Sequence, residues 1–247
     1  MTNNPIVPEL IVMGAGPGDP ELITVKGQRI LQQADVVLYD NLANKELLNL
    51  TKADCDTIYV GKQPYGEYTT QEAIHEMIAH YAFTKGRVVR LKGGDPFIFG
   101  RGYEEIIYAR SLGIKTQFIP GISSMQAVGL EDIPLTHRLV SEGIWIVTGT
   151  KKDGSLSADL KLAIQSKATV VIYMGMKKLQ EIAQTYIESG NGNIPAAIIQ
   201  HASLPNQKSV RGLVKDLPEI AESKHLTYPA IIIIGEVTNL YELKTEQ

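Results

Sequence analysis

The sequence predicts an α/β fold of two domains, each built on a mixed sheet. Short apolar runs alternate with amphipathic stretches along the whole chain, the pattern of sheets covered by helices. That alternation breaks once, at Ile133-Pro134-Leu135-Thr136-His137-Arg138, and resumes at Gly143. A first domain is therefore expected over residues 1–138 and a second over 139–247. Glycine-rich turns also follow the apolar runs ending at Met13 and Leu91, and a Pro-Gly turn follows Ile119. In open α/β sheets such strand ends receive ligands.

The elements follow in order. Glu9 to Met13 reads as a buried strand running into Gly14-Ala15-Gly16-Pro17-Gly18-Asp19-Pro20. A helix follows, with Asp19 as its cap, Pro20 in its first turn and Leu22, Ile23, Val25, Ile30 and Leu31 as its apolar positions. Ala34 to Asp40 is the second strand, Asn41 to Leu50 a helix and Asp56 to Val60 the third strand, ending at Gly61-Lys62. A polar loop, Gln63 to Tyr68, leads into an amphipathic helix, Thr70 to Phe83. Strand Arg87 to Leu91, helix Arg101 to Leu112 and strand Lys115 to Ile119 come next, then a turn at Pro120-Gly121-Ile122-Ser123-Ser124 opening a helix to about Leu130. The second series places strands at Ile144–Val147, Thr169–Met174, Ala196–Gln200, Ser209–Val214 and Ala230–Ile234, with helices at Ser157–Gln165, Lys177–Glu188 and Leu217–Ser223.

Composition sets the class. At 247 residues, 44% hydrophobic and 21% charged, the chain has ample core and the balance of a globular enzyme. A net charge of −3 gives no reason to expect a nucleic-acid partner. Cys55 is alone, so neither an internal disulfide nor a cysteine-based metal site is expected. The N-terminal residues lack the basic flank and apolar core of a signal peptide, and the longest apolar run, Ala230 to Ile234, cannot span a bilayer. A cytoplasmic protein without a membrane partner is expected.

Two familiar motifs fail on spacing. The first turn resembles a dinucleotide fingerprint, and Asp40 sits where a ribose-binding acid belongs. Asp19 stands in place of the third glycine, however, and Pro17 and Pro20 remove backbone donors that a pyrophosphate needs. His75-Glu76 with His80 imitates a zinc-protease motif, but the histidines are one residue too far apart to share a helix face. They read as packing or solvated histidines, and no metal is expected.

The most unusual stretch is Arg90-Leu91-Lys92-Gly93-Gly94-Asp95-Pro96-Phe97-Ile98-Phe99-Gly100-Arg101-Gly102. Together with the Gly14-to-Asp19 turn, Asp35-Val36-Val37-Leu38-Tyr39-Asp40, Val60-Gly61-Lys62, Pro120 to Ser124, Ile133 to Arg138, Tyr173-Met174-Gly175 and Pro229 to Val237, it resembles the tetrapyrrole methylases. Within them it is most similar to the uroporphyrinogen-III C-methyltransferases. The first turn marks the superfamily, whereas the segments ending in Gly102 and Arg138 point to that branch. The resemblance spans about Leu10 to Val237.

It implies two α/β domains flanking a cleft, a homodimer, and S-adenosyl-L-methionine as methyl donor, leaving as S-adenosyl-L-homocysteine. By motif the cofactor contacts would be Pro17, Gly93, Gly94, Asp95, Ile98, Ser123, Ser124, Met174, Ala202 and Ala230. The implied reaction methylates uroporphyrinogen III at C2 and C7, giving precorrin-2 by way of precorrin-1; the alternative is C-methylation of a later corrin precursor. Asp40 is the implied proton acceptor and Lys62 the donor, a role that needs the lysine depressed by burial or a neighbouring cation. Lys92, Arg101, His137 and Arg138 are the candidate cations for the substrate's carboxylates. The chain departs from the family at Tyr103, at Ala202-Ser203, in the loop 63–68, at His75 and at Gly129-Leu130-Glu131-Asp132. Glu131 and Asp132 would repel a polyanionic substrate if they faced it.

Overall fold

The computed structural model describes residues 5–61 and 69–240. The chain divides into two compact units, Met1–Ser124 and Met125–Gln247.

The first unit holds β1 (Glu9–Gly14), α1 (Val25–Leu31), β2 (Val36–Tyr39), β3 (Asp56–Tyr59), α2 (Gln71–Thr84), β4 (Arg87–Lys92), α3 (Gly102–Ser111) and β5 (Lys115–Ile119). Its sheet runs β3-β2-β4-β1-β5. Every pairing is parallel, so the mixed character expected of both sheets is confined to the second. The reason lies in the connections, since no hairpin turn joins these strands and each link crosses over one face. Strand alternation divides the core in two. Leu10 and Val12 of β1 pack with Ile74, Ile78 and Ile106, while Ile11 and Met13 pack with Leu31, Leu47 and Ile119. A strand buried on both faces must be apolar throughout, which is how β1 and β2 read.

The second unit holds β6 (Ile144–Thr148), α4 (Ala158–Ala163), β7 (Thr169–Tyr173), α5 (Leu179–Glu188), β8 (Pro195–Gln200), β9 (Lys208–Leu213), α6 (Leu217–Ser223) and β10 (Ala230–Ile234). Its order is β6-β7-β10-β8-β9, with β6–β7 parallel and the remaining pairs antiparallel. The isoleucine run of β10 lies at the centre, buried on both faces among Val170, Ile172, Ile198 and Ile199.

The division falls after Ser124, earlier than the boundary expected after Arg138. Ala127, Val128 and Ile133 bury against Val171, Ala197, Ile199 and Ile233, so this segment completes the second sheet's core. Two expected α-helices are 3₁₀ segments, Lys45–Leu50 and Gln126–Glu131. In the first, Asp40 Oδ1 accepts the Leu42 amide and Asn44 Oδ1 the Glu46 amide, and these local turns delay the helix start. In the second, the side chain of the N-cap residue Met125 makes no cap hydrogen bond, and the segment ends at Asp132 in the left-handed region. The helix expected after Asp19 is also split. Asp19 caps a single turn, Pro20–Leu22, and Thr24 caps α1 separately.

Candidate active site

The carboxyl ends of β1, β4 and β5 meet with almost no side chains between them. Gly16 and Gly94 form an isolated antiparallel bridge, with the Gly94 amide donating to the Gly16 carbonyl at 2.7 Å. A Cβ on Gly14 would stand 2.5 Å from the Gly121 Cα, and one on Gly121 only 2.2 Å from the Gly94 carbonyl oxygen. Gly93 lies equally close to Leu42, while a Cβ on Gly94 (φ +65°) would only touch the Ser124 nitrogen, at 3.6 Å. Such backbone-to-backbone packing is open only to glycine.

Asp95 fastens this knot. Its Oδ1 accepts the Phe97 amide at 2.8 Å and its Oδ2 the Gly121 amide at 3.1 Å, linking the β4 and β5 loops. Phe97 anchors the loop outward by stacking on Phe118 at 3.8 Å, edge-on to Tyr103 at 5.8 Å. Pro17, Ile98 and Ser124 are half-buried around the knot, and Ser123 is buried. The first unit thus gathers Pro17, Gly93, Gly94, Asp95, Ile98, Ser123 and Ser124 at one end of its sheet.

Beside the knot lies a buried ion network. Arg90, on β4 opposite Leu38 of β2, is 3% exposed. Its Nη2 donates to Asp40 Oδ2 at 3.0 Å and its Nε to Glu105 Oε1 at 3.3 Å. Its Nη1 serves the Leu38 and Leu91 carbonyls. Glu105, fully buried on α3, also receives Lys92 Nζ at 3.1 Å and Gln71 Nε2 at 3.3 Å through the same oxygen. Its Oε2 has no partner among the described residues.

Burial, then the adjacent Arg90 charge, push the Lys92 ammonium below the usual lysine range. Lys92 was expected as a surface cation for substrate carboxylates; it is 7% exposed and committed to Glu105. Asp40 is the network's most accessible member, its side chain 20% exposed at the end of β2. Burial and the Asp40 charge raise the neighbouring Tyr59 phenol. Lys62 lies outside the described residues.

Arg101 precedes α3 in the left-handed region, its half-exposed guanidinium forked onto Glu104, with Nη2 to Oε2 at 2.6 Å. His75 stacks on Tyr108 at 4.5 Å, and His80 sits edge-on to Tyr81. Among the described residues no group of acids, histidines and cysteine is arranged to hold a metal.

In the second unit, Met174 follows β7, Ala202 follows β8, and Ala230 begins β10, which runs antiparallel to both. All three therefore fall at one end of that sheet. Met174 takes φ +54° and is 54% exposed, which removes the alternative that it is simply core. Ala202 is buried and Ala230 half-buried. His137 and Ser141 close a tight turn that exposes Arg138. Glu131 turns onto the second unit's own β9, where Ser209 Oγ reaches Oε2 at 2.5 Å and Gln207 holds Oε1.

Sequence reasoning missed Arg90 and Glu105. Both fall inside expected elements, Arg90 in the strand Arg87 to Leu91 and Glu105 in the helix Arg101 to Leu112, with no role in the site. The available signal was a charge inside the apolar run Val88-Val89-Arg90-Leu91, since a buried cation must find an anion.

Glycine-knit loops at the carboxyl end of a parallel sheet in one unit, and a mixed sheet in the other, define a two-unit α/β protein of ligand-binding design. Residues 9–218 match the family model of the tetrapyrrole (corrin/porphyrin) methylases, and the chain belongs to that family. A relative from Methanocaldococcus jannaschii, a uroporphyrinogen-III C-methyltransferase, is 40% identical over 95% of this chain and 98% of its own length. The siroheme synthase of Nitrosospira multiformis is 41% identical over 97% of this chain, but the chain spans only 51% of that protein. Among solved structures, the Thermus thermophilus uroporphyrin-III C-methyl transferase complexed with S-adenyl homocysteine superposes with a TM-score of 0.81 at 36% identity, covering 94% of this chain and 99% of the other. A cobalt precorrin-4 methyltransferase gives 0.83 at 27% identity over 94% and 96%. No helix of the described residues is long and apolar enough to cross a membrane.

Proposed function

We propose that this chain is an S-adenosyl-L-methionine-dependent C-methyltransferase that methylates uroporphyrinogen III at C2 and C7, yielding precorrin-2 through precorrin-1. The observation that carries it is the end-to-end match to the Methanocaldococcus jannaschii uroporphyrinogen-III C-methyltransferase, which covers 95% and 98% of the two chains.

The residues fit the methyl donor. Bare backbone at Gly93 and Gly94 lets a polar ligand approach main-chain groups without side chains in the way, and the exposed Met174 offers a polarizable apolar surface. Pro17, Gly93, Gly94, Asp95, Ile98, Ser123, Ser124, Met174, Ala202 and Ala230 would hold it. When bound, it supplies a methyl group already activated on a sulfonium. The chain's work is then alignment and proton handling. Asp40, partly exposed at the end of β2, accepts the proton released from the ring; Lys62 returns one. Arg101, His137 and Arg138 bind substrate carboxylates, Arg101 by exchanging Glu104 for them. Lys92 acts indirectly by neutralising Glu105. A homodimer in the cytoplasm accompanies this reading, and sedimentation would check the first point.

The test is anaerobic incubation of the protein with uroporphyrinogen III and S-adenosyl-L-methionine, followed by mass analysis. Singly and then doubly methylated product is expected. Cofactor bound with no methylated product would sink the proposal.

A further inference from the structure

We propose that Arg90 is a positioning residue for this reaction: it fixes the Asp40 carboxylate in one orientation and is itself locked by Glu105. The inference rests on the reading of Asp40 as proton acceptor and extends it to the buried residues behind that carboxylate.

Three features carry it. First, the guanidinium is used on all sides. Nε goes to Glu105, Nη2 to Asp40, and Nη1 to the Leu38 and Leu91 carbonyls, so the fork has one orientation. Second, Asp40 is fixed at both oxygens, with Oδ2 on Arg90 and Oδ1 accepting the Leu42 amide at 3.1 Å. Third, the network is graded in exposure. The Glu105 side chain is 0% exposed, Arg90 3%, Lys92 8% and Asp40 20%, so its accessible end is the carboxylate beside the glycine knot.

Charge accounting fits this order. Arg90 and Lys92 balance Asp40 and Glu105, so the cluster is neutral as a whole. Stability alone is a poor reason for such a group, because apolar residues of similar volume commonly serve a core as well or better. What apolar residues cannot do is hold a carboxylate at the end of β2 with its remaining lone pairs free. Glu105 supplies the anion that keeps Arg90 from following Asp40 outward. Lys92 offsets the second negative charge, which Arg90 alone would have to divide between two carboxylates.

Arg90→Lys tests the idea, since an ammonium cannot span Asp40 and Glu105 as a fork. The expected result is a loss in kcat of about a hundredfold, the scale of a misplaced reacting group. KM for uroporphyrinogen III and calorimetric affinity for S-adenosyl-L-methionine should be unchanged. In the ligand-free protein, the Leu42 amide proton resonance should move upfield as its carboxylate acceptor loosens. In single-turnover assays the kcat penalty should disappear in an Asp40→Asn background, where nothing remains to be positioned. An equal penalty in that background, or an unmoved Leu42 resonance with wild-type kcat, overturns the proposal. The replacement Arg90→Met/Lys92→Met/Glu105→Leu guards against a folding defect: a folded, slow enzyme supports positioning, and a folded enzyme of wild-type kcat overturns it. Asp40→Asn at full rate instead refutes Asp40 as acceptor, while the Leu42 resonance still reports whether Arg90 orients the carboxylate.

Discussion

Asp95 Oδ2 accepts the Gly121 amide at 3.1 Å, joining the loop after β4 to the loop after β5 across 26 residues of sequence. The same carboxylate accepts the Phe97 amide at 2.8 Å, so it shapes its own loop as well as its neighbour's. By resemblance Asp95 is also expected to meet the methyl donor; its two oxygens hold the loops around that place. Asp95→Ala frees two backbone donors and should weaken S-adenosyl-L-methionine at least about tenfold, the worth of one or two charge-assisted hydrogen bonds. Asp95→Asn keeps one acceptor and should lose less. Titration calorimetry decides it, and equal affinity in Asp95→Ala and wild type would remove Asp95 from the site.

Gly121→Ala should be far more damaging than its size suggests. The new methyl would lie 2.2 Å from the Gly94 carbonyl oxygen and 2.8 Å from the Gly14 Cα, both backbone atoms. Overpacking of this kind costs about 3 kcal/mol or more when no side chain can yield. Gly129→Ala is the control, because nothing lies within 4 Å of a Cβ there. Urea denaturation should show a large drop in midpoint for the first variant and almost none for the second.

Much of this was legible from residue patterns. Lys115–Ile119, Leu217–Ser223 and Ala230–Ile234 appear with the bounds expected of them. In each, apolar spacing and flanking turn residues agree. Where they disagree, the expectation slipped: the 3₁₀ turns at Lys45–Leu50 and Gln126–Glu131 carry helical apolar spacing, but Asx turns hold the first back from a full α-helix, and the second starts at Met125, whose side chain cannot cap it. The boundary at Arg138 was drawn from a break in pattern, whereas burial of Ile133 in the second core depends on long-range packing. For the candidate site, motifs point to Gly93, Gly94 and Asp95, which the fold places at the carboxyl end of β4. No local signal shows that the Lys92 ammonium turns inward to Glu105, since that pairing depends on where α3 lies over β4.

Asp35 gives a prediction on pH. Burial raises its carboxyl, but the Lys52 ammonium at 2.6 Å and the Arg87 amide at 2.8 Å outweigh that and hold it below the ordinary value of 3.8. A carboxylate depressed in the folded state adds stability above its unfolded value and loses it as pH falls through the folded one. Asp35→Asn should therefore cost about 1 kcal/mol at pH 7, by loss of charge-assisted bonds. The gap should close below pH 3.8, as the wild-type carboxylate becomes protonated. Urea midpoints measured across that range test the sign; a gap that widens towards acid would contradict it.

Met174 separates a binding role from a structural one. Its backbone sits at φ +54°, where a side chain is strained, its carbonyl accepts the Thr150 hydroxyl at 3.0 Å, and its side chain is 54% exposed. A packing role would bury the thioether; the fold instead accepts the strain and holds it in the open. Met174→Gly relieves the strain and removes the side chain while leaving the carbonyl in place. Relief of a left-handed conformation should raise stability by up to about 1 kcal/mol, seen as a small rise in Tm. If the thioether meets the methyl donor, the same variant should bind S-adenosyl-L-methionine several-fold more weakly, by loss of one apolar contact of about 1 kcal/mol. Opposite signs for stability and affinity in one variant are the signature expected of a residue held strained for its ligand. A fall in Tm with unchanged affinity would return Met174 to a structural role.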